Sequence, residues 1–229
     1  MGQSNNEAMI YLFLFFLEIS ILFFLSKAIS FTLSRFLSIP VLSLLFFPGV
    51  VVHELSHMLV ASILFVRVGD VEFKPKVIDN ALKLGSVEIG KTDPIRRAII
   101  GFAPVGVGIS LILGIVYFVS GNLPYFWENQ IFISIIIVLG ILYLLFVISN
   151  TMFSSKADME GTLELLIIAL IIIIALYLIG PRFPEFIIKF LSSKEIVGIV
   201  QKSSIFLIAP IVVDLVILGI VRTLADGRR

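Results

Sequence analysis

The stretch His53-Glu54-Leu55-Ser56-His57 concentrates the chain's chemical potential. On a helix, residues four apart share a face, so both imidazoles point the same way. Two neutral imidazoles at that spacing can grip one zinc ion, and the carboxylate between them can serve as general base. The chain has 2 His residues, and both lie here. The competing reading is a chance match on a buried helix. Against it, polar side chains inside an apolar run, here about 41–64, are costly unless paired or metal-bound.

A catalytic zinc asks for three protein ligands and an open position for water. With no third His, the missing ligand must be a carboxylate. The polar break from Ser149 to Gly161 offers two, Asp158 and Glu160.

The elements that must position these groups are membrane helices. The 229 residues are 59% hydrophobic with a mean hydropathy of +1.13, which marks a polytopic membrane protein with the bilayer as its solvent. A net charge of +1 gives no basic surface for nucleic acid. With no Cys there are no disulfides or thiolate metal sites. The first apolar run is too long for a signal peptide and lacks a small-residue cleavage site, so it reads as a retained helix.

The expected architecture is all-α, with about six transmembrane helices and a small β insertion after the second, all in one membrane-embedded domain over 1–229. The spans fall at 9–25, 41–64, 98–119, 130–148, 162–179 and 205–221. Met1 to Glu7 reads as a polar tail, and Lys27 to Ser38 as an amphipathic continuation of the first span. Pro48-Gly49 lies one turn before His53, so the motif helix could begin there, which puts His53 near mid-bilayer.

The insertion, 66–93, reads as strands Val66-Arg67-Val68, Asp70 to Lys74, and Ala81 to Ile89 with a period of two. In the third span, Gly106, Ser110 and Gly114 form a small-residue ridge that reads as helix packing. Arg96 and Arg97 would anchor that span by snorkelling. Tyr125 and Trp127 suit an interfacial belt. Arg182 to Ser204 reads as a mixed linker. Glu18 and Asp214 lie within spans, where a structural hydrogen bond or a role in access would account for them.

Six spans put both termini, 66–97 and 150–161 on one side. That side carries Arg67, Lys74, Lys76, Lys83, Lys91, Arg96, Arg97, Lys156, Arg222, Arg228 and Arg229. The other carries Lys27, Arg35, Arg182, Lys189, Lys194 and Lys202. The positive-inside rule therefore expects cytoplasmic termini, most simply in the cell membrane.

The pattern resembles the site-2 protease family of intramembrane zinc metalloproteases. That family carries the HExxH pentapeptide on one membrane helix and, two spans later, an Asn-x-x-Pro-x-x-x-Leu-Asp-Gly motif. Here Asn150 precedes Asp158 by the same offset, while Phe153, Ala157 and Met159 stand where the family has Pro, Leu and Gly. Gly101-Phe102-Ala103-Pro104 is similar to the family's Gly-Pro element. The resemblance covers roughly 41–161. It implies Asp158 as third zinc ligand, with Glu160 as rival, and Asn150 as a group that orients substrate or polarises its carbonyl. The plainer role for Asn150 is a polar helix terminator.

The activity this implies is hydrolysis of peptide bonds in or near transmembrane helices of membrane-protein substrates. One zinc per chain would be held by His53, His57 and Asp158, with Glu54 as base. An exposed edge of the insertion could hold substrate as an added strand. Two alternatives remain: a non-catalytic membrane relative that binds helices or metal, and a membrane zinc protease with Glu160 as third ligand. The intact Glu54 speaks against a pure binder. Oligomeric state and substrate identity have no signature here.

Overall fold

The computed structural model describes residues 2–73, 76–78, 81–83, 85–122, 131–153, 171 and 193–226. Its helices are α1 (Gly2–Leu33), α2 (Ile39–Ile63), α3 (Pro94–Gly121), α4 (Ile131–Thr151) and α5 (Lys194–Asp226). Between α2 and α3 lie β1 (Val68–Glu72), β2 (Lys76–Ile78), β3 (Ala81–Lys83) and β4 (Ser86–Ile89). Among the described residues, 5 helices are long and apolar enough to cross a membrane. The chain is thus a polytopic helical membrane protein with a small antiparallel insertion after its second helix. The expected span 162–179 apart from Ile171, the Tyr125/Trp127 belt, Asp158 and Glu160 lie outside the described residues.

Each helix is longer than its apolar run suggested. Residues 2–7 belong to α1 rather than to a tail, and α1 continues to Leu33. Ser26 and Lys27 can sit inside it because both find acceptors at the end of α4 or just beyond it. Ser26 Oγ donates to the Asn150 carbonyl at 2.9 Å, and Lys27 Nζ to that of Phe153 at 3.2 Å. These side chains cap the carbonyl end of α4, where the helix leaves acceptors unmatched. The helical geometry of α4 runs through Ser149, Asn150 and Thr151, which the sequence placed in a polar break. Residues 194–204, expected as linker, form the first turns of α5.

α2 also runs unbroken across Pro48, with Pro40 in its first turn, so the motif helix begins well before Pro48. It ends on a Schellman turn. Val66 N–H donates to the Ala61 carbonyl at 2.8 Å, and Phe65 N–H to that of Ser62 at 3.1 Å. Phe65 takes the left-handed position at φ 57°, where glycine would be easier. Val66 then packs with Ala61 and Ile100 in a small buried cluster that joins α2 to α3.

The insertion corrects the strand boundaries. The two short runs before Lys74 make one strand, β1, which includes Gly69. The run from Ala81 to Ile89 is broken at Gly85 into β3 and β4. β1 pairs antiparallel with β4 (Val68 with Ile89, Glu72 with Ser86), with an irregularity between Val68 and Val71. β2 pairs antiparallel with β3.

Asp93 caps α3 by accepting from Arg96 N–H at 3.0 Å, and Pro94 follows in the first turn. That N–H bond, then the nearby Arg96 charge, holds the Asp93 carboxyl below its ordinary range. Arg96 Nε also pairs with Asp93 at 3.3 Å, so this arginine serves the helix start. The expected small-residue ridge is not a contact: among the described residues nothing comes within 4 Å of a Cβ built on Gly114, and only Phe102 approaches Gly106, at 3.9 Å. The close approach is at Gly108, where a Cβ would lie 2.9 Å from Met152 Cβ.

Helix directions follow from pairs of contacts. Tyr11 meets Gln201 at 3.2 Å, Glu18 lies beside Ser204, and Ile29 shares a buried cluster with Leu218. Residue numbers rise together, so α1 and α5 run parallel. Phe23 meets Phe153 and Ser26 meets Asn150, so α4 runs antiparallel to α1. Termini on one side of a membrane would go with antiparallel α1 and α5, whereas these two helices run parallel.

Candidate functional site

The motif occupies the buried stripe of α2. Phe46, Gly49, Val50, His53, Glu54, His57 and Ala61 are buried at helical spacing. Leu55, Leu59 and Ile63 point outward. The apolar outer face belongs in lipid, so the amphipathic pattern turns the polar trio inward.

His53 Nε2 and His57 Nε2 lie 3.3 Å apart, with the rings near perpendicular at 83°. His57 Nδ1 lies 2.8 Å from the Ile100 carbonyl of α3. A carbonyl only accepts, so Nδ1 carries the hydrogen and Nε2 presents its lone pair toward His53. Metal-bound imidazoles are usually held this way, with the second nitrogen donating to a carbonyl or carboxylate. Two nitrogens on one tetrahedral zinc, each about 2.0–2.1 Å from it, stand roughly 3.3–3.4 Å apart. The observed 3.3 Å fits that separation, and without a metal it also lets a His53 Nε2–H donate to the His57 Nε2 lone pair. The two imidazoles therefore fit a zinc ion as two of its ligands. Among the described residues no group of three His, Cys, Asp or Glu comes together.

Glu54 is buried at 5% exposure beside these rings in sequence, and the insertion lies over it. A Cβ built on Gly85 would stand 2.7 Å from Glu54 Oε1, 2.9 Å from its Cγ and 2.8 Å from Val50 Cγ1. Gly85 does not have a positive φ. Space, not backbone conformation, is what asks for glycine there.

Asn150 comes to this region through α4. A Cβ on Gly49, one turn before His53, would run into Thr151 Oγ1, and would lie 2.6 Å from Val147 Cγ1 and 2.7 Å from the Val147 carbonyl. The polar end of α4 thus stops beside the middle of α2. Asn150 is buried, and its Nδ2 donates to Asp214 Oδ1 at 2.7 Å and to the Phe146 carbonyl at 2.8 Å. Ser149 Oγ meets Asp214 Oδ2 at 3.2 Å. Asp214 is fully buried and joins α5 to the end of α4, in keeping with a structural hydrogen-bonding role. Asn150 Oδ1 has no bonding partner among the described residues.

The structure therefore brings His53, Glu54 and His57 to one buried face, with Asn150 on the adjoining helix end. Sequence reasoning named Pro104 only as part of the Gly-Pro element, and it missed the Ile100 carbonyl, the place of Gly85 beside Glu54, and the bond between Asn150 and Asp214. Pro104 signals a carbonyl released four residues earlier, at Ile100, but no spacing reveals that His57 would meet it. No protein-family model, curated protein or solved structure matches this chain.

Proposed function

We propose that this protein is an intramembrane zinc metalloprotease that hydrolyses peptide bonds in or near the transmembrane helices of membrane-protein substrates. The observation that carries the reading is the pair of buried Nε2 atoms 3.3 Å apart, one of them turned inward by the Ile100 carbonyl. His53 and His57 would hold the ion, with Asp158 as third ligand. Its offset from Asn150 supports that choice, and so does the delivery of the α4 end to the level of Gly49.

A bound zinc ion would supply Lewis acidity, lowering the pKa of water from about 16 toward about 7 and polarising a carbonyl. Glu54 takes a proton from the attacking water and passes it to the leaving amine. Asn150 has committed its amide hydrogens to Asp214 and Phe146. Its remaining oxygen is an acceptor, which suits holding a substrate N–H better than polarising a substrate carbonyl. The N-terminal end of α1 and the insertion face the cytoplasm in this reading.

The test uses detergent-purified protein, assayed for zinc content and for cleavage of a model transmembrane peptide. The wild type should bind about one zinc per chain. Glu54→Gln should retain zinc and lose cleavage. A His53→Ala, His57→Ala double variant should lose both, and zinc retained in it at the wild-type ratio sinks the assignment. Asp158→Asn should lose zinc and cleavage, while Glu160→Gln keeps both. The reverse outcome moves the third ligand to Glu160.

A further inference from the structure

We infer that Pro104 is a positioning residue for the metal site: by withholding a backbone N–H, it leaves the Ile100 carbonyl open to fix the tautomer of His57. The inference rests on the zinc reading above, and it names a part of the site that lies on another helix. In a regular helix the carbonyl of residue 100 accepts from the N–H of residue 104. Proline has no N–H. Pro104 lies inside α3, is fully buried, and cannot satisfy that carbonyl. A buried acceptor left unmatched is costly, so it needs another donor. His57 Nδ1, at 2.8 Å, is that donor.

The consequence falls on the opposite ring nitrogen. Free imidazole can carry its hydrogen on either nitrogen, and only the one without it can bind a metal. A bond from Nδ1–H to Ile100 holds the hydrogen on Nδ1 and aims the Nε2 lone pair at His53 Nε2, 3.3 Å away. The packing of Ile100 against Ala61 and Val66 keeps the two helices in register at this level. An N–H at position 104 would compete for the same oxygen and draw it back along the helix axis. His57 would then lose the partner that fixes its hydrogen.

The experiment compares three forms of the whole protein in one detergent. They are the wild type, Pro104→Ala, and a form with lactic acid, the α-hydroxy analogue of alanine, placed at position 104 by nonsense suppression. The alanine form restores an N–H. The lactic acid form has the same methyl group and no N–H. Zinc affinity is read by competition with a chelator, and ring protonation by ¹⁵N spectra of His, of which the chain has 2. Pro104→Ala should bind zinc about 10–100-fold more weakly, and its metal-free His57 should show Nε2 protonation. The lactic acid form should match the wild type in both. Wild-type affinity and tautomer in Pro104→Ala overturn the inference. So does a lactic acid form as weak as the alanine one, since the ring's shape would then be what matters. If the wild type takes up no zinc, the zinc reading fails instead, and the tautomer comparison of metal-free forms still decides the part played by Pro104.

Discussion

At the scale of single residues, the candidate site was legible where residue type alone is rare and constrained. His53, Glu54 and His57 announced themselves because two imidazoles and a carboxylate in an apolar run need a reason. Gly85 could not be found this way. In sequence it only interrupts an alternating strand, and its importance is the emptiness it leaves beside Glu54. That makes a sharp prediction. In Gly85→Ala the new methyl would stand 2.7 Å from Glu54 Oε1, well inside contact distance. The flexible carboxylate gives way more easily than backbone, so Glu54 should move and the fold should survive. A displacement of about 1 Å at a reacting group is enough for a loss on the order of 100-fold. Cleavage should fall by about that factor while zinc content stays at the wild-type value, because His53 and His57 are untouched. Zinc loss in parallel with activity would show that the insertion supports the ligands rather than the base.

At the scale of elements, apolar runs revealed the helices, while their ends and their contacts were hidden. α1 passes through Ser26 and Lys27 because partners at and just past the end of α4 satisfy them, and a hydropathy reading cannot see partners. The small-residue ridge shows the same limit. Spacing selected Gly106, Ser110 and Gly114, but only the packed structure distinguishes a glycine that admits a neighbour from one that faces outward. Gly49 is the first kind. A Cβ there meets Thr151, Val147 Cγ1 and the Val147 carbonyl, the last of which is backbone and cannot turn aside. Gly114 meets nothing within 4 Å among the described residues. Gly49→Ala should therefore force α2 and α4 apart and destabilise the protein by about 1–3 kcal/mol. Gly114→Ala should be neutral or stabilising by up to about 1 kcal/mol, through helix propensity. Thermal unfolding in one detergent compares them, and equal midpoints would mean that α2 and α4 do not pack at Gly49 as described.

At the scale of the whole molecule, the membrane class was plain from composition, but the sidedness of the chain ends depended on counting crossings. Six spans put the termini together. The packing of α5 argues otherwise, through independent contacts. Tyr11 meets Gln201 near the start of both helices, and Ile29 shares a buried cluster with Leu218 near their ends. α4 gives the complementary check. Asp214 bonds to Ser149 and Asn150, while Leu218, one turn on, shares a buried cluster with Phe146 and Val147, so α4 and α5 run antiparallel. Since α4 is also antiparallel to α1, all three relations agree. If α1 and α5 both cross the bilayer, residues 2 and 226 lie on opposite sides. The positive-inside argument still orients the whole. Tyr143 Oη donates to the Leu45 carbonyl and Gly49 meets Val147 and Thr151, so α2 runs with α4 and against α1, and Arg67, Lys76, Lys83, Lys91, Arg96 and Arg97, which follow α2, lie toward the end where α1 starts. That side should be the cytoplasm, and Asp226 should face away from it. The chain has no Cys, so Gln3→Cys and Asp226→Cys each introduce a single thiol. In intact cells an impermeant maleimide should label the Asp226→Cys form and leave Gln3→Cys unlabelled until the membrane is opened. Equal protection of both thiols would return the termini to one side, and α5 would then have to run antiparallel to α1.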